Sequence, residues 1–377
     1  MGKTRMIVTL SLMLALLAGC AAEKDPPAAT TVPPTTTEVT QPTTTAPPET
    51  TVPPTTEPEL EAGWPVTVDG VALESGTVVQ NDRTYMKLSE MADALKLEMT
   101  EEAAVVWRGE EIRLDPMTYR GDWYVPVAET CEIMGISCFE DTEMGRLYCT
   151  PGAGAYVIPE GYNVPVLMYH AVSDEITGYA ELHVSPSVME QQLQYLVENG
   201  YSPIWFEDLA QVDQYEKPVI LTFDDGYLDN YTELFPLLQK YNVKATIFVI
   251  TDAVMWGTNY VKEDQVREMV ESGLVSIQSH THTHPYLDEC DEETQRQEME
   301  VSKLYILRLT GKEPFVLCYP SGRQNQTTLE IIGDYYKLGI KMNKGQYVTG
   351  SDPYRIERYY VSRYTGMADF VDMIDGD

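Results

Sequence analysis

The chain predicts an α/β architecture: a βα-repeat domain, preceded by a small α+β domain and a Pro/Thr-rich linker. Three observations carry this. From Gly161 onward, short apolar runs alternate with amphipathic helical stretches, the pattern of a parallel sheet or barrel. Residues 21–62 are Pro, Thr and Glu with little else, a composition that buries no core. Between them, residues 63–152 hold a weak tandem repeat.

Residues 1–20 place Lys3 and Arg5 before an apolar run from Met6 to Ala18. This is a signal-peptide pattern, too short for a comfortable membrane span. The run ends Leu17-Ala-Gly-Cys20, which resembles a bacterial lipobox. The resemblance implies cleavage before Cys20, lipidation of its thiol, and anchorage to the outer face of the cell membrane of a Gram-positive bacterium. The proline density of 21–62 predicts an extended, disordered spacer of roughly 100 Å at ~3 Å per residue.

In 63–152, Tyr85-Met-Lys-Leu88 followed by Glu90 and Leu95 matches Tyr124-Val-Pro-Val127 followed by Glu129 and Met134. Each unit reads as strand, short helix, strand, ending near Trp107 or Tyr148. The module resembles the domain named after the copper amine oxidase N-terminus, common in exported Gram-positive proteins. No histidine lies in it, so it reads as a polymer-binding module or a spacer.

In 153–377, Val164 to Tyr169 reads as a strand ending at His170. Ser185-Pro186 caps a helix whose apolar stripe is Met189, Leu193, Leu196 and Val197, closed by Gly200. The run Val219 to Phe223 is too β-branched for a helix and reads as a buried strand running into Asp224, Asp225 and Gly226. A helix near 230–241, a strand over 245–250, a helix over 265–271 and a strand over 274–278 follow. A long helix over 291–309, a strand over 315–319, a helix near 327–337 and strands near 338–342 and 356–361 complete the domain. In such folds the chemistry sits at the C-terminal strand ends. Here those ends carry His170, Asp224-Asp225, His280 to His284, and Pro320-Ser-Gly322.

Two adjacent carboxylates at a strand end need positive charge beside them. Three of the five histidines fall in Ser279-His-Thr-His-Thr-His284, and His280 and His284, four apart, share a face if that segment is a helical turn. His282 then faces away as a rim residue. Two histidines and a carboxylate with open positions suit a catalytic divalent ion such as zinc, although the same set serves non-haem iron.

These motifs resemble the polysaccharide deacetylases of the NodB-homology type, carbohydrate esterase family four. The residues are Thr222-Phe-Asp-Asp-Gly-Tyr227, His280-Thr-His-Thr-His284 and Cys318-Tyr-Pro-Ser-Gly322. The resemblance spans about 161–370 and implies a distorted (β/α) barrel. It makes Asp224 the general base and Asp225, His280 and His284 ligands of a divalent metal, zinc foremost. It also gives the Ser321 N–H to the oxyanion. Two features depart from the family. Cys318 stands where its arginine would, and no histidine follows His284. Both recur in a permuted branch with a Tyr-Pro-Tyr-Gly motif, which includes poly-β-1,6-N-acetylglucosamine deacetylases. There an early Met-Tyr-His supplies the acid, so Leu167-Met-Tyr-His170 makes His170 the general acid. Arg358 is a candidate to orient Asp224 in place of the lost arginine, or else a surface arginine. His183 receives no role.

The implied activity is metal-dependent N-deacetylation of a polymer containing N-acetylglucosamine, peptidoglycan or poly-N-acetylglucosamine, by an extracytoplasmic monomer. An inactive glycan binder and an O-acetyl carbohydrate esterase are the alternatives. Acids outnumber bases 59 to 26, a formal charge of −33, which disfavours nucleic acid as a partner. The six cysteines contain no CxxC pair, which argues against a zinc ribbon. Cys138 and Cys149 are placed to face each other in a disulfide or to remain free buried thiols.

Overall fold

The computed structural model describes residues 59–100, 103–107, 109–151 and 156–375. The leader, Cys20 and nearly all of the Pro/Thr linker lie outside the described residues. Residues 59–62, grouped with the linker on composition, are described, and Glu61–Ala62 pairs with Val78–Val79. Among the described residues no helix is long and apolar enough to cross a membrane.

In the small domain the principal elements are β1 (Val66–Val68), β2 (Thr77–Gln80), β3 (Arg83–Lys87), α1 (Leu88–Ala94) and β4 (Met117–Tyr119). They continue with β5 (Asp122–Pro126), α2 (Val127–Met134), β6 (Ser137–Asp141) and β7 (Arg146–Thr150). The two matching sequence units become β3–α1 and β5–α2. Their strands pair with each other antiparallel, Tyr124 opposite Lys87 and Pro126 opposite Tyr85. Period-2 alternation turns Met86 and Val125 inward, and the two helices add Leu88, Met91, Cys131 and Met134 to one core.

The second domain comprises β8 (Val166–Tyr169), α3 (Pro186–Glu198), β9 (Pro218–Phe223), α4 (Phe235–Tyr241), β10 (Ala245–Val249), α5 (Thr251–Trp256) and α6 (Glu263–Glu271). It continues with β11 (Val275–Ser279), α7 (Glu292–Thr310), β12 (Val316–Cys318), α8 (Gln326–Ile331), β13 (Leu338–Ile340), β14 (Tyr359–Tyr360) and α9 (Met367–Asp375). One sheet runs in the order β13-β12-β11-β10-β9-β8-β14, and its pairings are parallel. The two edges meet: Ile356, just before β14, bridges Ile340 of β13. Lys341 N–H donates to Ile356 C=O at 2.8 Å, and Ile356 N–H to Gly339 C=O at 3.0 Å. The sheet therefore curls into a distorted barrel whose last gap is bridged by the segment carrying Arg358.

Strand parity decides what enters the barrel. On β9, Val219, Leu221 and Phe223 pack outward against the helices, whereas Ile220 lies in the inner cluster. The next residues of inward parity are Thr222 and Asp224. On β12, Val316 and Cys318 face inward and Leu317 outward. On β8, Leu167 and Tyr169 join the outer cluster and Val166 the inner one, which aims His170 inward. On β11, Val275 and Ile277 are outward, so Ser276, Gln278 and His280 are inward. One alternation thus delivers His170, Asp224, His280 and Cys318 to the same end of the barrel interior.

Three local expectations are corrected. Val197 is half-exposed and leaves the α3 stripe to Met189, Leu193 and Leu196, because it sits at the edge of the buried arc. The helix near 230–241 opens with a π-turn over Asn230–Leu234 before α4. Inside it Asn230 turns inward and donates to the His170 carbonyl at 2.9 Å. The helix near 327–337 stops at Ile331 and tightens into a 3₁₀ turn over Ile332–Asp334.

The small domain docks on the C-terminal end of α7. Arg308 grips the buried Asp141 through two hydrogen bonds, 2.6 and 2.9 Å, and reaches Glu143 at 3.0 Å. Gly311, at φ 70°, ends α7 in the left-handed region, and a Cβ there would fall 2.6 Å from Gly70 Cα. Glycine is required twice over, by the backbone turn and by the close approach of the two chains.

Candidate active site

Asp224 follows β9 at inward parity, and its carboxylate is almost wholly buried. A buried lone carboxylate is costly, and Arg358 answers it. The guanidinium donates to both Asp224 oxygens, 2.7 Å to Oδ1 and 2.8 Å to Oδ2, and also to Thr222 Oγ1 at 2.9 Å and the Lys341 carbonyl at 3.0 Å. Arg358 is fully buried, so the surface reading of this residue is excluded. Cys318, in the position of the family arginine, lies 3.2 Å from the same guanidinium and 3.6 Å from Asp224 Oδ2. The smaller side chain on β12 leaves room for an arginine arriving from the barrel-closing segment. Burial alone would raise the Asp224 pKa, but the charge and hydrogen bonds of Arg358 outweigh it and hold the carboxyl below the usual range.

Asp225 turns the chain at φ 74°, which swings its carboxylate toward the segment after β11. His280 Nε2 stands 3.4 Å and His284 Nε2 3.6 Å from Asp225 Oδ1. One donor atom from each of the three residues lies within 4.8 Å of the others. A tetrahedral ion with bonds of ~2.0–2.1 Å separates its ligand atoms by about 3.4 Å. The donor types and the two measured separations therefore fit a zinc-class divalent cation. His280 Nδ1 faces the Cys318 carbonyl at 2.8 Å. That contact fixes a proton on Nδ1 and directs Nε2 toward Asp225, the usual device for presenting a histidine ligand.

The histidine segment is not the helical turn that four-residue spacing suggested. Residues 280–286 form an irregular loop with Thr281 at φ 67° and His284 at φ 62°. Its shape comes from the outside. Glu298, buried on α7, accepts the N–H groups of His282 and Thr283, both at 2.8 Å, and the Thr283 hydroxyl at 2.7 Å. His282 Nδ1 hydrogen-bonds Thr251 Oγ1 at 2.8 Å. Sequence reasoning missed Glu298. An acid in the interior of an otherwise ordinary amphipathic helix gave no signal beyond its apolar-face position.

His170 places Nε2 4.0 Å from Asp224 Oδ2. Burial depresses its pKa, while the charges of Asp224 and Asp225 oppose the fall. Ser321 sits in a tight turn at φ 54° and is exposed. The following N–H groups of Gly322 and Arg323 close that turn onto Tyr319 and Pro320. Tyr227, ending the first motif, stacks on Tyr260 at 5.4 Å beside Asp225. His183 is not part of this site. It is buried, with Nε2 near the Thr177 N–H and Nδ1 near the Tyr179 carbonyl, and it holds a neighbouring loop.

A polysaccharide deacetylase family model matches residues 211–340. A Bacillus subtilis (strain 168) protein assigned as a polysaccharide deacetylase is 33% identical over 205 residues, 53% of this chain and 71% of that protein. The poly-β-1,6-N-acetyl-D-glucosamine N-deacetylase of Escherichia coli (strain K12) is 34% identical over 139 residues, 32% of this chain but only 21% of that enzyme. Among solved structures, a Streptococcus pyogenes deacetylase in complex with acetate aligns with a TM-score of 0.53 at 31% identity, covering 57% of this chain and 99% of that one. Site geometry, barrel and relatives converge, and the chain belongs to the polysaccharide deacetylase family.

Proposed function

We propose that the chain is a metal-dependent N-deacetylase that removes acetyl groups from N-acetylglucosamine units of a cell-wall or extracellular polysaccharide. The observation that carries the reading is the pairing of two adjacent carboxylates with opposite fates. Asp225 faces two imidazoles, and Asp224 faces a guanidinium. A divalent cation held by Asp225, His280 and His284 supplies Lewis acidity and makes water more acidic. Asp224, ionised and fixed by Arg358, accepts the water proton. The Ser321 N–H, presented by its strained turn, donates to the acetamide oxygen as it becomes negative. His170 delivers a proton to the departing sugar nitrogen. Its Nε2 is 4.0 Å from Asp224 Oδ2, so the proton taken from water has a short path to the leaving group. Acetate and a free glucosamine amine result.

The relative named for poly-β-1,6-N-acetylglucosamine supports that polymer class as the first substrate to try. The lipobox-like Cys20 and the Pro/Thr stretch support an exported, membrane-anchored protein whose domains work outside the cytoplasm. The small domain, docked on α7, serves as a spacer or polymer binder between the two.

Acetate release from β-1,6- and β-1,4-linked N-acetylglucosamine oligomers, peptidoglycan and acetylated xylan tests the reading. The expected result is release from an N-acetylglucosamine substrate that stops with chelator and returns with a divalent ion. Release from acetylated xylan alone would make the protein an O-acetyl esterase, and release from none would make it a binder.

A further inference from the structure

The small domain brings together three cysteines from three different elements. Cys131 comes from α2, Cys138 from β6 and Cys149 from β7. Cys138 and Cys149 lie directly opposite in antiparallel register, with their sulfurs 3.9 Å apart. The Cys131 sulfur completes a triangle in which all three lie within 4.8 Å of one another. Cys131 and Cys149 are buried in the domain core, and Cys138 opens to solvent. No pair is joined as a disulfide.

The triangle has the dimensions of a coordination site. An ion with metal–sulfur bonds of ~2.3 Å spaces its thiolates about 3.8–4.0 Å apart, from tetrahedral to trigonal geometry. The 3.9 Å pair already meets that spacing, and the third sulfur lies within 4.8 Å of both. A Cys138–Cys149 disulfide would instead draw two sulfurs to ~2.05 Å and leave Cys131 with no partner for its thiol. Three convergent thiols in a compact core suit soft cations, and nothing harder than sulfur enters the donor set.

We infer that Cys131, Cys138 and Cys149 form a trithiolate site for one thiophilic cation, Zn(II) or Cu(I). The ion ties α2 to the β6–β7 hairpin and acts as a structural clip for the small domain, apart from the catalytic centre. Exposed Cys138 is the entry point, and any fourth ligand comes from the solvent side.

Cadmium titrated into the full chain under mild reductant tests this. The ultraviolet thiolate-to-cadmium charge-transfer band reports sulfur ligation and is silent for the carboxylate–histidine site. The expected result is a band saturating at one equivalent, with an intensity near that of three thiolates. It falls in Cys138→Ser and in Cys131→Ser but persists in Cys290→Ser. Because Cys131→Ser places a hydroxyl in the domain core, the second readout uses the unmodified sequence, where a bound ion slows alkylation of Cys138 at least tenfold. Absence of the band from the reduced protein overturns the inference. So does a band unchanged in Cys138→Ser, or a Cys138–Cys149 disulfide that survives the reductant.

Discussion

Asp224→Asn lowers acetate release by about one hundred- to ten-thousandfold while leaving the metal content unchanged. The substitution keeps the volume and removes the basic lone pairs. Among the described residues Asp224 is the only carboxylate held by Arg358, and Asp225, His280 and His284 remain to bind the cation. The size of the loss follows from what a positioned general base contributes. Stability falls as well, by about 1–3 kcal/mol, because an amide N–H₂ must then face one of the two guanidinium donors at 2.7 and 2.8 Å. A melting curve beside the rate and the metal analysis separates the effects. Full activity in a folded, metal-loaded variant removes Asp224 from the role of base.

Arg358→Met has the second-largest effect, and its signature lies in the pH profile. Arg358 is fully buried and neutralises a buried carboxylate. Removing one partner of such a pair costs about 3–5 kcal/mol. The sign follows from the present state of Asp224, whose folded pKa is depressed. Its ionic contribution to stability is present above the unfolded carboxylate value of ~3.9 and is lost only as pH falls through the lower folded value. Without Arg358, burial dominates and raises the carboxyl pKa. The variant therefore takes up a proton on folding, and its stability deficit shrinks as pH falls. Activity at neutral pH drops and recovers as pH rises, whereas Asp224→Asn shows no recovery. A variant with the parent's pH–rate profile would show that Arg358 does not tune the base.

The barrel was legible in the sequence because each βα unit carries its own signal. The β-branched run ending at Phe223, the Ser185-Pro186 cap and the left-handed Gly200 are local features. So were the polar strand ends, which strand parity then placed on one interior wall. What was not legible depends on distance. Arg358 was legible only as a candidate to orient Asp224: it meets that carboxylate across 134 positions, and no pattern in Tyr354-Arg-Ile-Glu-Arg358 distinguishes a barrel-closing segment from surface. The loop at His280 to His284 was misread as a helical turn because its form is imposed by Glu298 from α7. Cys131, Cys138 and Cys149 fall in one stretch of the sequence, but their convergence into a triangle is legible only once α2 packs on the hairpin.

The Asp225, His280 and His284 triad is the centre of the account, and calorimetric titration of zinc into metal-stripped chain tests it most directly. A Cys138→Ser background silences the thiol cluster. Burial opposes charging of His280, but Cys318, Asp225 and Asp224 around it prevail and raise its pKa well above the usual value. Binding must therefore displace a proton, and affinity weakens by up to about tenfold per unit as pH falls below that raised pKa. The predicted result is one equivalent bound with proton release, lost in His280→Ala and in His284→Ala together with acetate release. One equivalent bound with unchanged affinity in both variants would contradict the account.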